Sequence, residues 1–394
     1  MRRIYLDHNA TTPLAPEVFE AMKPYWLEDY GNASSIHWYG QRAKAAVEEA
    51  RVEVARLLNA DPSEVVFTSG GTESDNAAVF GAVEAATREA NEKKHVVMTS
   101  IEHHAVLHAA RALERRGVEV TYLPVGSSGV VDPADVERAI RPHTVLISVM
   151  HANNELGTIQ PLEEIGRMAR ERGVTFHSDA VQSAGKIPVD VRKLGVDLLS
   201  LSAHKLYGPK GVGALYVRKG TALGPLLYGG HHERDRRPGT ENVPGIVGLG
   251  KAASLARERL DEEDARLGTL RDDLEDGVSD SIPMVAVNGD PKRRLPTTTN
   301  LRFDGVDGEA LVIAMDLKGV ACSTGAACSS GSLEPSHVLA AIGLTREQAR
   351  SSIRFSLGHS NTKADIDITL EVLPCVVERL QSVSPHNKKP AMAV

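Results

Sequence analysis

The sequence predicts an α/β protein with a large domain, built on a mostly parallel sheet flanked by helices, and a smaller α+β domain. The chain has 394 residues, and at about 100–200 residues per domain this length allows two or three domains. Short apolar runs alternate with longer helical patterns through the first two-thirds of the chain, which indicates parallel strands joined by helices. After about residue 255 the pattern changes to a charged helical stretch followed by a shorter mixture of strands and helices.

The strand candidates of the large domain are short runs rich in Val, Ile, Leu and Thr. They cover residues 65–68, 95–99, 118–122, 144–149, 174–177, 198–201 and 213–217. Helical patterns lie between most of them, at residues 41–59, 72–92, 104–116, 132–140 and 162–172. The helix from residue 72 carries the start signal Thr72-x-x-Asp75.

The smaller domain is predicted from the C-terminal third of the chain. Its helices and strands are expected at residues 251–280, 298–303, 308–317 and 352–356. We therefore predict four parts: an N-terminal arm that joins the small domain, a large domain, a small C-terminal domain carrying the Cys328 loop, and a flexible tail. Their bounds are residues 1–15, 16–258, 259–383 and 384–394.

Composition and charge exclude several classes of protein. The 45 basic and 52 acidic residues give a net charge of −7, whereas a nucleic-acid-binding protein usually has a basic excess. No apolar run approaches the roughly 18 residues of a membrane span. The N-terminus also lacks the apolar stretch of a secretory signal. We expect a soluble, cytoplasmic protein with no nucleic-acid or membrane partner.

The segment from Thr68 to Ser74, Thr-Ser-Gly-Gly-Thr-Glu-Ser, lies between a predicted strand and a predicted helix. Backbone N–H groups and hydroxyls at a helix N-terminus bind anions, so a phosphate is the expected ligand. The segment lacks both the P-loop pattern and the G-x-G-x-x-G spacing, which weakens the interpretation as a nucleotide site. A capped glycine turn without a ligand is the alternative, and this motif alone does not decide between the two.

Two more polar segments, at residues 177–182 and 202–211, follow predicted strands. Open α/β sheets bind ligands at the carboxyl ends of their parallel strands. Asp179 offers a carboxylate for a protonated pyridine nitrogen, and Lys205 offers an amine for a Schiff base with an aldehyde, as pyridoxal phosphate requires. A single Asp or Lys at a strand end is usually a solvated or capping residue. A solvated or capping role is much less favoured here, because the phosphate segment, Asp179 and Lys205 occur in this order, each after a predicted strand.

The three cysteines, Cys322, Cys328 and Cys375, are too few for a disulfide framework, and their spacing matches no zinc pattern. Small polar residues surround Cys328, so we predict a reactive thiol on a mobile loop rather than a small buried side chain. Cys322 follows the apolar Val320-Ala321, and Cys375 precedes Val376-Val377. Both are predicted to be buried.

These motifs together resemble one family, the NifS/IscS-type cysteine desulfurases, within the class V aminotransferase group of fold-type I pyridoxal-phosphate enzymes. The resemblance covers nearly the whole chain. Its segments include the surroundings of Asp179 and Lys205 and residues 5–13, 68–76, 102–106, 150–157, 239–240, 328–335 and 353–358. The sequence departs from the family at His359-Ser360, where many relatives have a basic and an aromatic residue.

The resemblance implies a role for each of twelve residues. Lys205 holds pyridoxal phosphate through an imine bond, Asp179 pairs with the pyridine nitrogen, and Gln182 donates to the phenolic oxygen. His103 stacks over the ring and is a candidate for proton transfer. The phosphate is bound by Gly71, Thr72, Ser202 and His204. Substrate is bound by Asn154, which also contacts the cofactor, and by Arg354. Sulfur is accepted by Cys328, and the phosphate in the other subunit is contacted by Thr240.

The implied activity is the removal of sulfur from L-cysteine, which gives L-alanine and an enzyme persulfide on Cys328 for iron–sulfur cluster assembly. The catalytic residues are then Cys328, Lys205 and His103. The implied partners are a second copy of the chain and an iron–sulfur scaffold or another sulfur acceptor. No firm metal site is implied; Cys328 alone stays open as a ligand of a transient iron–sulfur cluster shared with a partner.

Three alternatives are open from the sequence. A selenocysteine lyase would ignore L-cysteine. Another class V aminotransferase would not need a cysteine on a Gly/Ser loop. A non-catalytic protein that keeps the fold would not need Lys205.

Overall fold

The computed structural model describes residues 3–86, 93–324 and 335–383, and its strands form three sheets. The strands are β1 (Ile4–Tyr5), β2 (Val65–Thr68), β3 (His95–Thr99), β4 (Glu119–Leu123), β5 (Thr144–Ser148), β6 (Thr175–Asp179), β7 (Leu198–Ser202), β8 (Gly213–Val217), β9 (Val285–Val287), β10 (Thr298–Phe303), β11 (Val320–Ala321) and β12 (Ser352–Ser356). The helices are α1 (Pro16–Met22), α2 (Pro24–Leu27), α3 (Trp38–Leu58), α4 (Gly71–Ala85), α5 (His104–Glu114), α6 (Pro133–Ala139), α7 (Leu162–Arg172), α8 (Val191–Leu194), α9 (Val243–Ser281), α10 (Gly308–Leu317), α11 (His337–Ala341), α12 (Arg346–Arg350) and α13 (Lys363–Val383).

The largest sheet has seven strands in the order β2-β8-β7-β6-β5-β3-β4. The five strands β7, β6, β5, β3 and β4 run parallel to one another, whereas β8 is antiparallel to both β2 and β7. The chain between β7 and β8 contains only a short turn of 3₁₀ helix and no crossover helix, so β8 returns in the opposite direction. The predicted mostly parallel sheet flanked by helices is confirmed.

Side chains on the two faces of this sheet pack into two separate apolar clusters. Val65 and Phe67 join one cluster with residues of α3, α7 and α9, while Val66 between them joins the other with residues of α4 and α5. Successive strand residues point to opposite faces, so both faces are covered by helices and the strands read as continuous apolar runs.

The helix bounds differ from the predicted ones mainly at the ends. Helix α3 begins three residues earlier than predicted, because the His37 ring caps it by accepting from Gly40 N, and histidine is not among the usual capping residues. Of the helix predicted over residues 72–92, α4 covers the part up to Ala85, and residues 87–92 lie outside the described residues. Among the described residues, no helix combines the length and apolarity that a bilayer span requires.

Helix α9 has 39 residues and connects two apolar cores. Its N-terminal half contributes Ile246 and Leu249 to the core under the large sheet, and its C-terminal half contributes Leu270 and Leu274 to a second core with β10 and β12. This second region contains the antiparallel sheet β12-β10-β9 and the short parallel pair of β1 with β11. The domain bounds drawn from the sequence stay a prediction.

The two described cysteines differ in burial. Cys322 is buried, as predicted, and burial raises the pKa of its thiol to about 12. The prediction for Cys375 is wrong, because this residue is exposed. Leu373, Val376 and Val377 of α13 face the core. Adjacent residues of a helix point in directions about 100° apart, so Cys375 points away from the core and lies on the solvent face.

Candidate active site

The carboxyl ends of the parallel strands open into a cavity of about 420 Å³, where open α/β sheets bind ligands. Ten of the twelve residues predicted from the sequence line this cavity: Gly71, Thr72, His103, Asn154, Asp179, Gln182, Ser202, His204, Lys205 and Arg354. The polypeptide segments that supply them are far apart in sequence. The fold therefore brings together the residues that were predicted to act together.

Of the other two predicted residues, the structure describes only Thr240, which does not line this cavity. Thr240 is exposed and lines a different cavity, of about 240 Å³, with Ser69 and Gly239. Cys328 lies outside the described residues.

The turn between β2 and α4 forms a cradle at one end of the cavity. A Cβ on Gly71 would stand 2.8 Å from Val181 Cγ2, so the backbone approaches the neighbouring segment more closely than any side chain would allow. The hydroxyls of Thr68 and Ser74 are 2.8 Å apart and fix the turn. Helix α4 has 15 residues, so its N-terminus carries the partial positive charge that suits a phosphate.

Lys205 follows β7 in a single 3₁₀ turn, Ala203–Lys205. Its Nζ donates to the backbone oxygens of Asn9 and Ala10, the latter at 2.7 Å. Both of these residues line the cavity. The sequence analysis missed this contribution, because a backbone carbonyl carries no signal in the side-chain pattern.

Asp179 ends β6 at the base of the cavity, where its Oδ1 accepts from Val181 N at 2.9 Å. Burial raises the pKa of Asp179 to about 6, against the opposing effects of the Val181 N–H and the Lys205 charge. Asp75 of α4 is fully buried beside it, and burial and the Asp179 charge raise the pKa of Asp75 well above its usual range. Ligand atoms of Asp75, Asp179 and His103 lie within 4.8 Å of one another. Burial thus favours a neutral Asp75 and leaves Asp179 as the anion.

His103 caps α5, because its Nδ1 accepts from Ala105 N at 3.2 Å. Burial, and next the charge of Lys205, lower the pKa of His103 to about 4, so the ring is neutral near pH 7. His104 and His337 line the same cavity with ring centroids 4.8 Å apart. Sequence reasoning assigned neither of them to the site.

Arg354 projects from β12 and is 2% exposed. Its Nη2 is 2.6 Å from Asp7 Oδ1, and its Nη1 donates to Asn154 O at 2.9 Å. A guanidinium held in this way presents a planar fork that suits a carboxylate. The N-terminal segment that contains Asp7 therefore fixes the residue that was predicted to bind the substrate carboxylate.

The donor set fits a flat aromatic ligand that carries a phosphate, a carbonyl and a ring nitrogen. The cradle at Gly71 suits the phosphate, Lys205 suits the carbonyl carbon, and the carboxylate of Asp179 suits a protonated nitrogen. Pyridoxal phosphate combines these three groups.

Comparisons with known proteins agree with this geometry. A family model described as "Aminotransferase class-V" matches residues 4–369. The cysteine desulfurase IscS of Dictyoglomus turgidum is 52% identical over 388 residues, which cover 98% of each chain. The cysteine desulfurase IscS of Methanosarcina thermophila is 51% identical over 98% of this chain and 95% of its own.

Solved structures give the same result. A NifS-like protein aligns with a TM-score of 0.90 and 38% identity over 96% of this chain and 100% of its own. A structure described as SspA in complex with cysteine aligns with a TM-score of 0.80 and 40% identity, over 90% of this chain and 98% of its own. The resemblance predicted from the sequence is confirmed.

Proposed function

We propose that this chain, which belongs to the class V aminotransferase family, is a pyridoxal-phosphate-dependent cysteine desulfurase. The observation that carries the proposal is that Lys205, Asp179 and the N-terminus of α4 share one cavity. Two further findings support it: relatives about half identical in sequence are named cysteine desulfurases, and a solved neighbour was obtained with cysteine. Selenocysteine lyase or another aminotransferase activity has no comparable support.

The residues of the cavity would hold the cofactor in one orientation. Lys205 binds its carbonyl carbon, Asp179 its ring nitrogen, and Gln182 its phenolic oxygen. His103 stacks over the ring, and the phosphate is bound by Gly71, Thr72, Ser202 and His204. Bound in this way, pyridoxal phosphate supplies an electron sink for the electron pair left when the substrate Cα loses its proton.

Arg354 and Asn154 would orient the amino acid. The guanidinium binds the carboxylate of L-cysteine and so places the Cα–H bond near Lys205 and His103. Both of these are candidates for moving the Cα proton, because each has a nitrogen at the cavity wall and the His103 ring is neutral near pH 7. Lys205 and His103 are thus two candidate carriers for this proton within the same cavity.

The sulfur leaves by transfer to Cys328. A bond forms between the substrate sulfur and Cys328 Sγ while the substrate Cβ–S bond breaks. The electron pair of that bond stays with the amino acid, which is released as alanine after protonation, and the enzyme keeps a persulfide. The persulfide would then supply a scaffold protein in iron–sulfur cluster assembly.

The test is the conversion of L-cysteine by the holoenzyme in the presence of a thiol reductant. We expect one alanine for each sulfide. Cys328→Ser should keep the visible absorbance of the bound cofactor and form almost no alanine, while Cys375→Ser, which replaces the exposed cysteine of α13, should match the wild type. Undiminished alanine formation by Cys328→Ser, or turnover of selenocysteine alone, would overturn the proposal.

A homodimer with shared sites is part of the proposal. Large aromatic side chains are exposed near the N-terminus: the ring of Tyr39 lies between those of Tyr30 and Trp38, at centroid distances of 5.5 and 5.0 Å, and Trp38 is 60% exposed. A contiguous exposed apolar patch of this kind is typical of a protein–protein interface. In the dimer, Thr240 would bind the phosphate of the other subunit.

Mixed dimers test the role of Thr240. Losing one hydrogen bond to a charged phosphate should lower the cofactor affinity of Thr240→Val about tenfold or more. At a cofactor concentration too low to fill Thr240→Val sites, co-expressed Lys205→Ala and Thr240→Val chains should show about half of the wild-type activity per dimer, because one site then has both residues intact. No recovery in mixed dimers isolated with two different tags would contradict sharing.

A further inference from the structure

The side-chain amide of Gln182 is held at both of its ends. Its Oε1 accepts from Lys186 Nζ at 2.9 Å, and its Nε2 donates to the backbone oxygen of Asn9 at 3.0 Å. An amide nitrogen carries two N–H groups, and only one of them points to Asn9. The second N–H is therefore left for a ligand of the cavity that Gln182 lines.

We infer that Lys186 is a positioning residue that fixes the orientation of the Gln182 amide, so that its remaining N–H points at the phenolic oxygen of the cofactor. This inference rests on the proposed function. Lys186 itself does not line that cavity, so it acts through Gln182.

The direction of the Lys186 bonds follows from Asn9. The amide nitrogen of Asn9 donates to Asn154 O and to Thr298 Oγ1, at 3.2 and 3.0 Å, so its Oδ1 must face Lys186 Nζ, which is 3.0 Å away. Lys186 thus has two oxygen acceptors, and each needs an N–H. Rotation of the Gln182 amide by 180° would turn its N–H groups towards Lys186. The N–H group of Lys186 that now donates to Gln182 Oε1 would then have no acceptor.

The charge state of Lys186 does not change this geometry. Burial, and then the charges of Lys205 and Arg354, lower the pKa of Lys186 well below its usual range. A neutral amine still has two N–H groups, one for each acceptor. The other titratable groups that interact with Lys186 are the rings of His8 and His204, and the pKa of each is lowered to about 4, mainly by burial, so both are neutral near pH 7.

Lys186→Met removes the N–H groups and keeps most of the side-chain volume. The Gln182 amide is then held at its Nε2 end alone, by Asn9 O, so its remaining N–H is directed less firmly at the phenolic oxygen, and that oxygen becomes more basic. A hydrogen bond to a charged group stabilises it enough to move a pKa by about one unit. We expect the pH midpoint of the visible absorbance band of the holoenzyme to rise by about one unit in Lys186→Met.

Lys210→Met is the matched control, because Lys210 is exposed and its charge also acts on His204, yet it makes no contact with Gln182. This variant should keep the wild-type midpoint. Gln182→Leu removes this hydrogen bond altogether and should raise the midpoint at least as much as Lys186→Met, and the double variant should raise it no further than Gln182→Leu alone. Additive shifts would show that Lys186 acts through its charge alone and would overturn the inference.

Lys186→Gln keeps an N–H donor without the charge, so its midpoint should lie nearer to the wild type than that of Gln182→Leu. This comparison decides the case even if Lys186→Met does not fold. A Lys186→Gln midpoint equal to that of Gln182→Leu would overturn the inference. Failure of the proposed function is distinguishable, because the wild type itself would then show no visible band and form no alanine from cysteine.

Discussion

Two parts of the cavity wall are built on different principles. The strand-end wall, formed by residues at the end of β6 and just after β7, presents charged side chains such as Asp179 and Lys205 to the cavity. The N-terminal wall, residues 7–12, mainly holds those side chains in place. Backbone oxygens of Asn9 and Ala10 accept from Lys205, and Asp7 pairs with Arg354.

The difference separates chemistry from placement. The strand-end wall supplies the groups that would react with or bind the cofactor, and the N-terminal wall supplies acceptors that fix where those groups lie. Variants in the first should therefore reduce turnover while the fold stays intact. Variants in the second should reduce stability as well.

The largest effect is expected at the strand-end wall. Asp179→Asn keeps the shape of the side chain but removes the carboxylate that would keep the ring nitrogen protonated. Alanine formation should fall on the order of 10²–10³-fold, as when one electrostatic partner of a reaction is lost. The melting temperature of the apoprotein should not decrease, because the substitution removes a carboxyl group whose ionised form is disfavoured by burial. A rate of alanine formation within tenfold of the wild-type rate would contradict the distinction between the two walls.

The N-terminal wall is tested by the ion pair of Asp7 with Arg354, whose side chains are 18% and 2% exposed. Asp7→Asn leaves a buried guanidinium without its counter-charge, which costs about 3 kcal/mol or more. The melting temperature should fall accordingly. The control is Asp316→Asn, which removes the exposed partner of Arg3 and should change stability by less than about 1 kcal/mol. Equal melting temperatures for the two variants would contradict the structural role of Asp7.

A smaller effect on stability is expected at Glu102, which is fully buried. Its Oε1 accepts from Thr99 Oγ1 and from Met150 N, and burial raises its pKa to about 8. The pKa of a Glu side chain in the unfolded chain is 4.5, so between about pH 4.5 and 8 only the unfolded state loses this proton. The contribution of Glu102 to stability therefore falls as the pH rises through this window.

Glu102→Gln removes that titration and should make the apoprotein more stable than the wild type at pH 8, with a difference that shrinks towards pH 5. Melting temperatures of both proteins between pH 5 and pH 8.5 measure it. A difference that stays constant with pH would show that Glu102 is already ionised in the folded protein.

The strand-end wall could be predicted from the sequence, and the N-terminal wall only in part. Asp179 and Lys205 follow apolar runs that are recognisable as buried strands, so their place at one edge of the sheet follows from topology. Asn9 and Ala10 contribute backbone oxygens, which leave no mark on a side-chain pattern. The position of Lys186 could not be predicted either, because its contact with Gln182 depends on the turn after Asp179 and not on any strand.

The burial of Cys322 could be predicted from the sequence, whereas the exposure of Cys375 was not. Cys322 directly follows the short strand β11, in which Val320 is buried, so its burial follows from the local pattern. Cys375 has apolar neighbours in sequence, but on a helix adjacent residues point in directions about 100° apart. Its exposure was predictable only from the helical period of α13, which Glu371 and Glu378 mark on the same solvent face.

The most direct test of the account is to identify the lysine that binds the cofactor. Borohydride reduces a C=N bond between a lysine and pyridoxal phosphate to a stable amine, and peptide mass spectrometry then locates the modified residue. We expect a single modification, on Lys205, with none on Lys186 or Lys210. A modification on either of those two residues, or no modification of a reduced holoenzyme, would contradict it.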